Sequence, residues 1–136
     1  MIGTVPLPLP GGGTAWVGGG PFEACPPAVF GICLEARASN AAQSRLLLPI
    51  PDFGLPELLP LRAALATILA ELPHGPVYIG CRAGLGRTGT VMACLARLSG
   101  VAEDPVTWVR RHYDSRAIET AAQEEFARHA VLHAGG

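Results

Sequence analysis

The sequence predicts an α/β fold with a central, mostly parallel sheet flanked by helices. Short apolar runs rich in β-branched residues alternate with longer stretches of helical periodicity. The last strand signal, Val77-Tyr78-Ile79, runs directly into a glycine-rich loop and then a helix. Alternating strands and helices are the pattern that buries a parallel sheet beneath helical layers. At 136 residues the chain has the length of one domain. With no internal repeat and no long linker, residues 1–136 are expected to form a single domain.

The stretch up to Gly20 is rich in Gly and Pro and holds one short strand signal, around Ala15 to Val17. Val29 to Leu34 has the composition of a buried strand. Ser39 to Ser44 is small and polar, a short helix or a loop. Leu46 to Ile50 is a second apolar run, stopped by the turn-forming Pro51-Asp52-Phe53-Gly54. Leu58, Leu61, Leu65, Ile68, Leu69 and Leu72 fall at helical spacing, and Pro73 with Gly75 ends that helix. Thr88 to Leu98 reads as a buried helix ending at Gly100. Asp104-Pro105 opens another, an N-cap followed by proline at the first helical position. A last helix is expected from about Glu119 to Leu132.

Composition narrows the function. The net charge of −1 excludes strong global attraction to nucleic acid, so no nucleic-acid partner is expected. Met1 to Pro10 lacks a positive leader and its apolar run is broken by prolines; no segment approaches a membrane span. The expectation is a cytoplasmic, reducing setting with no membrane association, in which Cys25, Cys33, Cys81 and Cys94 stay unpaired. Cys33 and Cys94 fall in strand and helix signals and are expected in the core. No CxxC pair exists and the histidines are scattered, so no metal centre is expected. His74 and His112 read as surface residues, and Arg110 and Arg111 as a solvated helix end.

Chemistry concentrates in Gly80-Cys81-Arg82-Ala83-Gly84-Leu85-Gly86-Arg87-Thr88-Gly89. Residues 84–89 spell GxGxxG, a dinucleotide-binding turn when followed by a βαβ unit with an acidic residue about 20 positions on. Here that window holds Glu103-Asp104-Pro105, a helix start, and the context is wrong. A thiolate held in a phosphate cradle explains more residues. A loop from Cys81 to Arg87 lets backbone N–H groups converge on an anion, and the following helix aims its positive end at the same point. Arg87 offers a planar fork to phosphate oxygens. The same positive field favours the Cys81 thiolate. Thr88 stands where its hydroxyl can donate to the sulfur and improve it as a leaving group.

Cys81-x5-Arg87-Thr88 resembles the signature of the cysteine-dependent protein tyrosine phosphatase superfamily, and Cys-Arg-Ala-Gly-Leu-Gly-Arg-Thr-Gly-Thr is similar to its small, atypical dual-specificity members. Pro49-Ile50-Pro51-Asp52-Phe53-Gly54 resembles the segment that brings the general-acid aspartate in that group. Ile118-Glu119-Thr120, with Gln123 and Phe126, resembles the start of the C-terminal helix over the active site. The likeness runs from about Trp16 to Phe126. Two positions depart from it: Gly80 stands where the family usually has histidine, and Asp114-Ser115 where an Arg-Pro often lies.

The resemblance implies a phosphatase-type loop between a strand and a helix, with Arg82, Ala83, Gly84, Leu85, Gly86 and Arg87 holding the phosphate. It implies Cys81 as nucleophile, Asp52 as general acid with Glu57 as the second candidate, and Gln123 positioning water. No cofactor is implied. The expected substrate is a phosphorylated protein (phosphotyrosine and/or phosphoserine/threonine) or a small phosphoester, and the expected state a monomer. A non-catalytic phosphate-binding pseudophosphatase is the alternative that the Gly80 departure raises, with a phosphatase acting on a non-protein phosphoester beside it. Phosphoinositide phosphatases of this group often carry two loop lysines; Arg82 and Leu85 stand there instead.

Overall fold

In the computed structural model, which describes residues 1–133, five strands form one sheet in the order β1-β2-β5-β3-β4. These are β1 (Gly3–Pro8), β2 (Thr14–Pro21), β3 (Phe30–Cys33), β4 (Leu46–Leu47) and β5 (Val77–Cys81). The β1–β2 pair is antiparallel, and β2–β5, β5–β3 and β3–β4 are parallel. Helices α1 (Leu58–Glu71), α2 (Gly86–Leu98), α3 (Pro105–His112) and α4 (Ala121–His129) complete the fold. The expected α/β class, with a mostly parallel sheet flanked by helices, is what the chain forms.

Strand alternation sorts the core. Val5, Leu7, Val17, Ile32, Val77 and Ile79 join one apolar cluster with Leu61, Leu65 and Ile68 of α1, Val91, Met92 and Leu95 of α2, and Val106 and Val109 of α3. Phe22, Cys33 and Tyr78 form a smaller second cluster. Helix α2 is buried from Gly86 to Ala96, so β5 and α2 make the central axis that carries the loop between them. No helix among the described residues is long and apolar enough to cross a membrane.

Several boundaries differ from the sequence expectation. Strand β1 was not foreseen, and β2 is longer than Ala15–Val17. Proline and glycine weigh against strand, yet Val5 and Leu7 alternate with Thr4 and Pro6 and bury one face of a hairpin edge. Helix α4 begins after Thr120, whose hydroxyl accepts the Gln123 N–H in a capping box. It ends at His129 because the following chain is held extended: Arg97 donates to the Ala130 carbonyl at 2.8 Å, and Arg62 to that of Val131 at 2.8 Å. Leu46 to Ile50 gives only two strand residues, the remainder descending toward the 51–54 turn.

The N-cap of α3 is Asp104, as expected, and accepts the Thr107 N–H at 2.9 Å. Arg128 of α4 bonds the same carboxylate at 2.8 Å; that guanidinium holds the Asp104 carboxyl down to about 2. Cys33 and Cys94 are buried as expected, and burial pushes the Cys94 thiol up to about 12. His74 and His112 are exposed. Arg110 is not a solvated helix end: it donates to the carbonyls of Ala117 and Ile118 and pairs with Glu124.

Candidate active site

Cys81 is the last residue of β5 and is 3% exposed. Its Sγ accepts the Gly84 N–H at 3.2 Å and the Thr88 hydroxyl at 3.2 Å. Helix α2 starts at Gly86 with Leu85 as N-cap and no side-chain cap. Among the described residues, the N–H groups of Leu85, Gly86 and Arg87 find no backbone partner. An uncapped, buried helix N-terminus presents unsatisfied donors and the positive end of the dipole, which is an anion site. Gly84 makes the curvature achievable. Its φ is +84°, and a Cβ there would collide with the backbone of Gly20 on β2.

Arg87 is also 3% exposed. Its Nη1 donates to the Ile50 carbonyl at 2.7 Å and to Glu35 Oε1 at 3.2 Å, and its Nη2 reaches the same Glu35 oxygen at 3.2 Å. These bonds leave Nε–H without a partner among the described residues. Glu35, just beyond β3, is a site residue that the sequence reading missed. The Arg37 backbone N–H (3.0 Å) and the Arg87 guanidinium hold its carboxyl below the ordinary carboxylate range. Glu35 therefore stays ionised, and a buried arginine with its charge paired and its bonds satisfied keeps one orientation. No local motif marks Glu35; its only sequence signal is a carboxylate directly after a strand that neighbours β5.

Asp52 lies in a turn closed by the Gly54 N–H on the Pro51 carbonyl at 2.8 Å. Phe53 takes a φ of +57° there and is 59% exposed, a conformation that strains a bulky residue. The turn brings Asp52 Oδ1 to 3.5 Å from Arg87 Nη2, so the resemblance-derived acid stands beside the cradle. Glu57 is exposed and lines the same cleft as Asp52, Glu35 and Arg87. Gln123 is fully buried. Its Oε1 accepts the N–H groups of Glu119 (2.8 Å) and Thr120 (3.2 Å), and its Nε2 donates to the Gly54 carbonyl at 3.3 Å. One side chain thus joins α4 to the turn that bears Asp52. The Glu119 carboxylate packs against Gly86, where any Cβ would collide with it.

Arg82 and Ala83 are exposed at the rim. Arg82 lines a cleft of about 350 Å³ with Glu23, Glu35, Arg37, Ala38 and Cys81. Two arginines and two glutamates share that mouth, so its charge is balanced. Among the described residues no group of three or more His, Cys, Asp or Glu is placed to hold a metal ion.

Gly80 explains itself. A Cβ there would stand 2.6 Å from Phe22 Cα, 2.7 Å from Phe22 N and 2.9 Å from the Gly20 carbonyl oxygen, all backbone atoms. Here β2 turns away at Pro21, and its backbone passes where a side chain before the nucleophile would be. Gly80→Ala is expected to destabilise the protein by about 1–3 kcal/mol through overpacking, read from the denaturant midpoint. An unchanged midpoint would refute this packing account.

A cysteine at a strand end, an uncapped helix N-terminus facing it and a buried arginine set by a carboxylate together form an anion-binding cleft with a thiol at its base. The family described as "PTP-SAK: Swiss Army Knife protein, DSP-PTPase phosphatase domain" matches residues 34–131, and the chain belongs to it. The uncharacterized protein MJECL20 of Methanocaldococcus jannaschii is 42% identical over 82 residues, covering 60% of this chain and 55% of that protein. The chain spans about half the length of the curated relatives it matches first. A mutant form of Tk-PTP superposes with a TM-score of 0.62 at 30% identity, over 71% of this chain and 72% of that one. Kinase associated phosphatase, with its catalytic-site cysteine substituted by serine, superposes with a TM-score of 0.66 over 93% and 92%. At 18% identity that likeness speaks to the fold alone.

Proposed function

We propose that the protein hydrolyses phosphate monoesters through a cysteinyl-phosphate intermediate. The observation that carries this reading is the Cys81 sulfur, held by the Gly84 N–H and the Thr88 hydroxyl at the uncapped start of α2. Cys81 attacks phosphorus while Arg87 and the N–H groups of residues 82–87 hold the equatorial oxygens of a loose transition state. Asp52 gives its proton to the leaving oxygen. Water then displaces the Cys81 thiolate from phosphorus; Asp52 takes the proton from that water, and the second amide hydrogen of Gln123 orients it. Thr88 stabilises the departing sulfur in this step. Positive charge comes from the cradle, and the mechanism needs no cofactor.

The open, charge-balanced cleft favours a shallow fit to phosphorylated tyrosine, serine or threonine side chains or to small phosphoesters, rather than one polyanionic class. The monomeric state and the cytoplasmic setting belong to this proposal. Gly80 lends no weight to a non-catalytic reading, because backbone packing accounts for it.

Hydrolysis of an aryl phosphate in excess EDTA, blocked by vanadate, is the expected result. Activity that appears only with an added divalent metal would overturn the mechanism.

A further inference from the structure

The connector between α3 and α4 carries groups that the chemistry above leaves unused. Tyr113 is buried, and its hydroxyl donates to the Gly84 carbonyl at 2.5 Å. The next carbonyl along the loop, that of Leu85, accepts the N–H groups of Gly89 at 3.0 Å and Ile118 at 3.2 Å. In a planar trans peptide the C=O and the following N–H point in opposite directions. A carbonyl drawn back against the protein therefore turns the next N–H outward, toward the anion. The Gly84 carbonyl sets the Leu85 N–H in this way, and the Leu85 carbonyl sets the Gly86 N–H.

The two peptides are held differently. Backbone donors fix the second, and a single side chain, Tyr113, fixes the first. The connector itself is firmly placed. Ile118 takes a φ of +64°, costly for a β-branched residue, and Arg110 donates to the carbonyls of Ala117 (2.9 Å) and Ile118 (2.6 Å). Burial pushes the Tyr113 phenol far up, so it remains an O–H donor at any working pH.

We propose that Tyr113 is a positioning residue of the phosphate cradle, acting through the Gly84–Leu85 peptide to aim the Leu85 N–H at the phosphoryl oxygens. Turning that peptide over rotates ψ of Gly84, where no Cβ restricts it, together with φ of Leu85, now −113°. Without the hydroxyl, the peptide can turn over and present the Gly84 carbonyl oxygen to the phosphate, replacing a donor by a repulsion. The inference rests on the phosphatase reading of the same site.

The test is Tyr113→Phe in the full chain, which keeps the ring and removes only the donor. The kcat for an aryl phosphate is expected to fall by about 10- to 100-fold, a step below or level with removing an oxyanion donor outright. Vanadate inhibition should weaken by a similar factor. In the unmodified protein, vanadate should shift the amide resonances of both Leu85 and Gly86; in the variant the Leu85 response should vanish while that of Gly86, held by Ile118 and Gly89, persists. Unchanged kcat and vanadate inhibition, or equal loss of both amide responses, would overturn the proposal. Should the variant not fold, the unmodified protein still decides: the Tyr113 hydroxyl proton is expected to exchange slowly, and a fast-exchanging one overturns the clamp. An unmodified protein that shows the vanadate response at Leu85 but no turnover removes the phosphatase reading and supports the role of Tyr113.

Discussion

Cys81→Ser is expected to abolish turnover, by on the order of 10⁶-fold, the scale on which a catalytic unit loses its nucleophile, while phosphate binding survives. The two properties reside in different atoms. In the proposed mechanism binding uses the N–H groups at the start of α2 and the Arg87 guanidinium, neither of which depends on sulfur. A serine hydroxyl can accept the Gly84 and Thr88 hydrogen bonds that Cys81 Sγ accepts now. What it lacks is the nucleophilicity of sulfur, and no carboxylate or imidazole among the described residues hydrogen-bonds to Cys81 to act as a base for a hydroxyl in its place. In the proposed mechanism the attacking group has no side-chain base, which serves a thiol and not an alcohol. Arg87→Ala should weaken both binding and turnover, because it also leaves Glu35 as a buried carboxylate without its partner. Phosphate titration by calorimetry beside a turnover assay separates these outcomes. Near-native turnover in Cys81→Ser would require another nucleophile.

How much of this was legible in the sequence follows from how local each feature is. The loop from Cys81 to Arg87 was readable because its glycines, its nucleophile and the helix that polarises it are contiguous. Asp52 was readable only by resemblance, since its proximity to Arg87 depends on β4 and the 51–54 turn reaching the end of β5. Glu35 left no local trace: its role comes from β3 lying beside β5, a pairing between residues far apart in sequence. Strand β1 was hidden because proline and glycine argue against strand until an edge position makes them tolerable. Gly80 looked like a defect in the motif and is a consequence of β2 passing close to β5. Tyr113 lies just before Asp114-Ser115, and nothing in its neighbourhood announces a bond to a loop 29 residues away. The contiguous loop is marked by its neighbours in the chain, whereas Asp52, Glu35 and Tyr113 reach it only through the fold.

Asp52→Asn is expected to lose roughly 10²–10⁴-fold in rate for an alkyl phosphate, the range for removing a general acid, and much less for an activated aryl ester. An alkoxide departs badly without a proton, whereas an activated phenolate needs none. The geometry makes this contrast informative, because Asp52 has two candidate jobs. Its Oδ1 lies 3.5 Å from Arg87 Nη2, so it could serve by orienting the guanidinium rather than by giving up a proton. An orienting role would affect every leaving group alike, since all of them need the equatorial oxygens held. The Arg87 fork, however, is already fixed by Glu35 and the Ile50 carbonyl at shorter distances, and the Asp52 side chain is 46% exposed. That supports the proposed proton transfer over an orienting role and predicts the leaving-group dependence. Equal losses for both leaving groups would remove the acid role, and Glu57, on the same cleft, would become the next residue to replace.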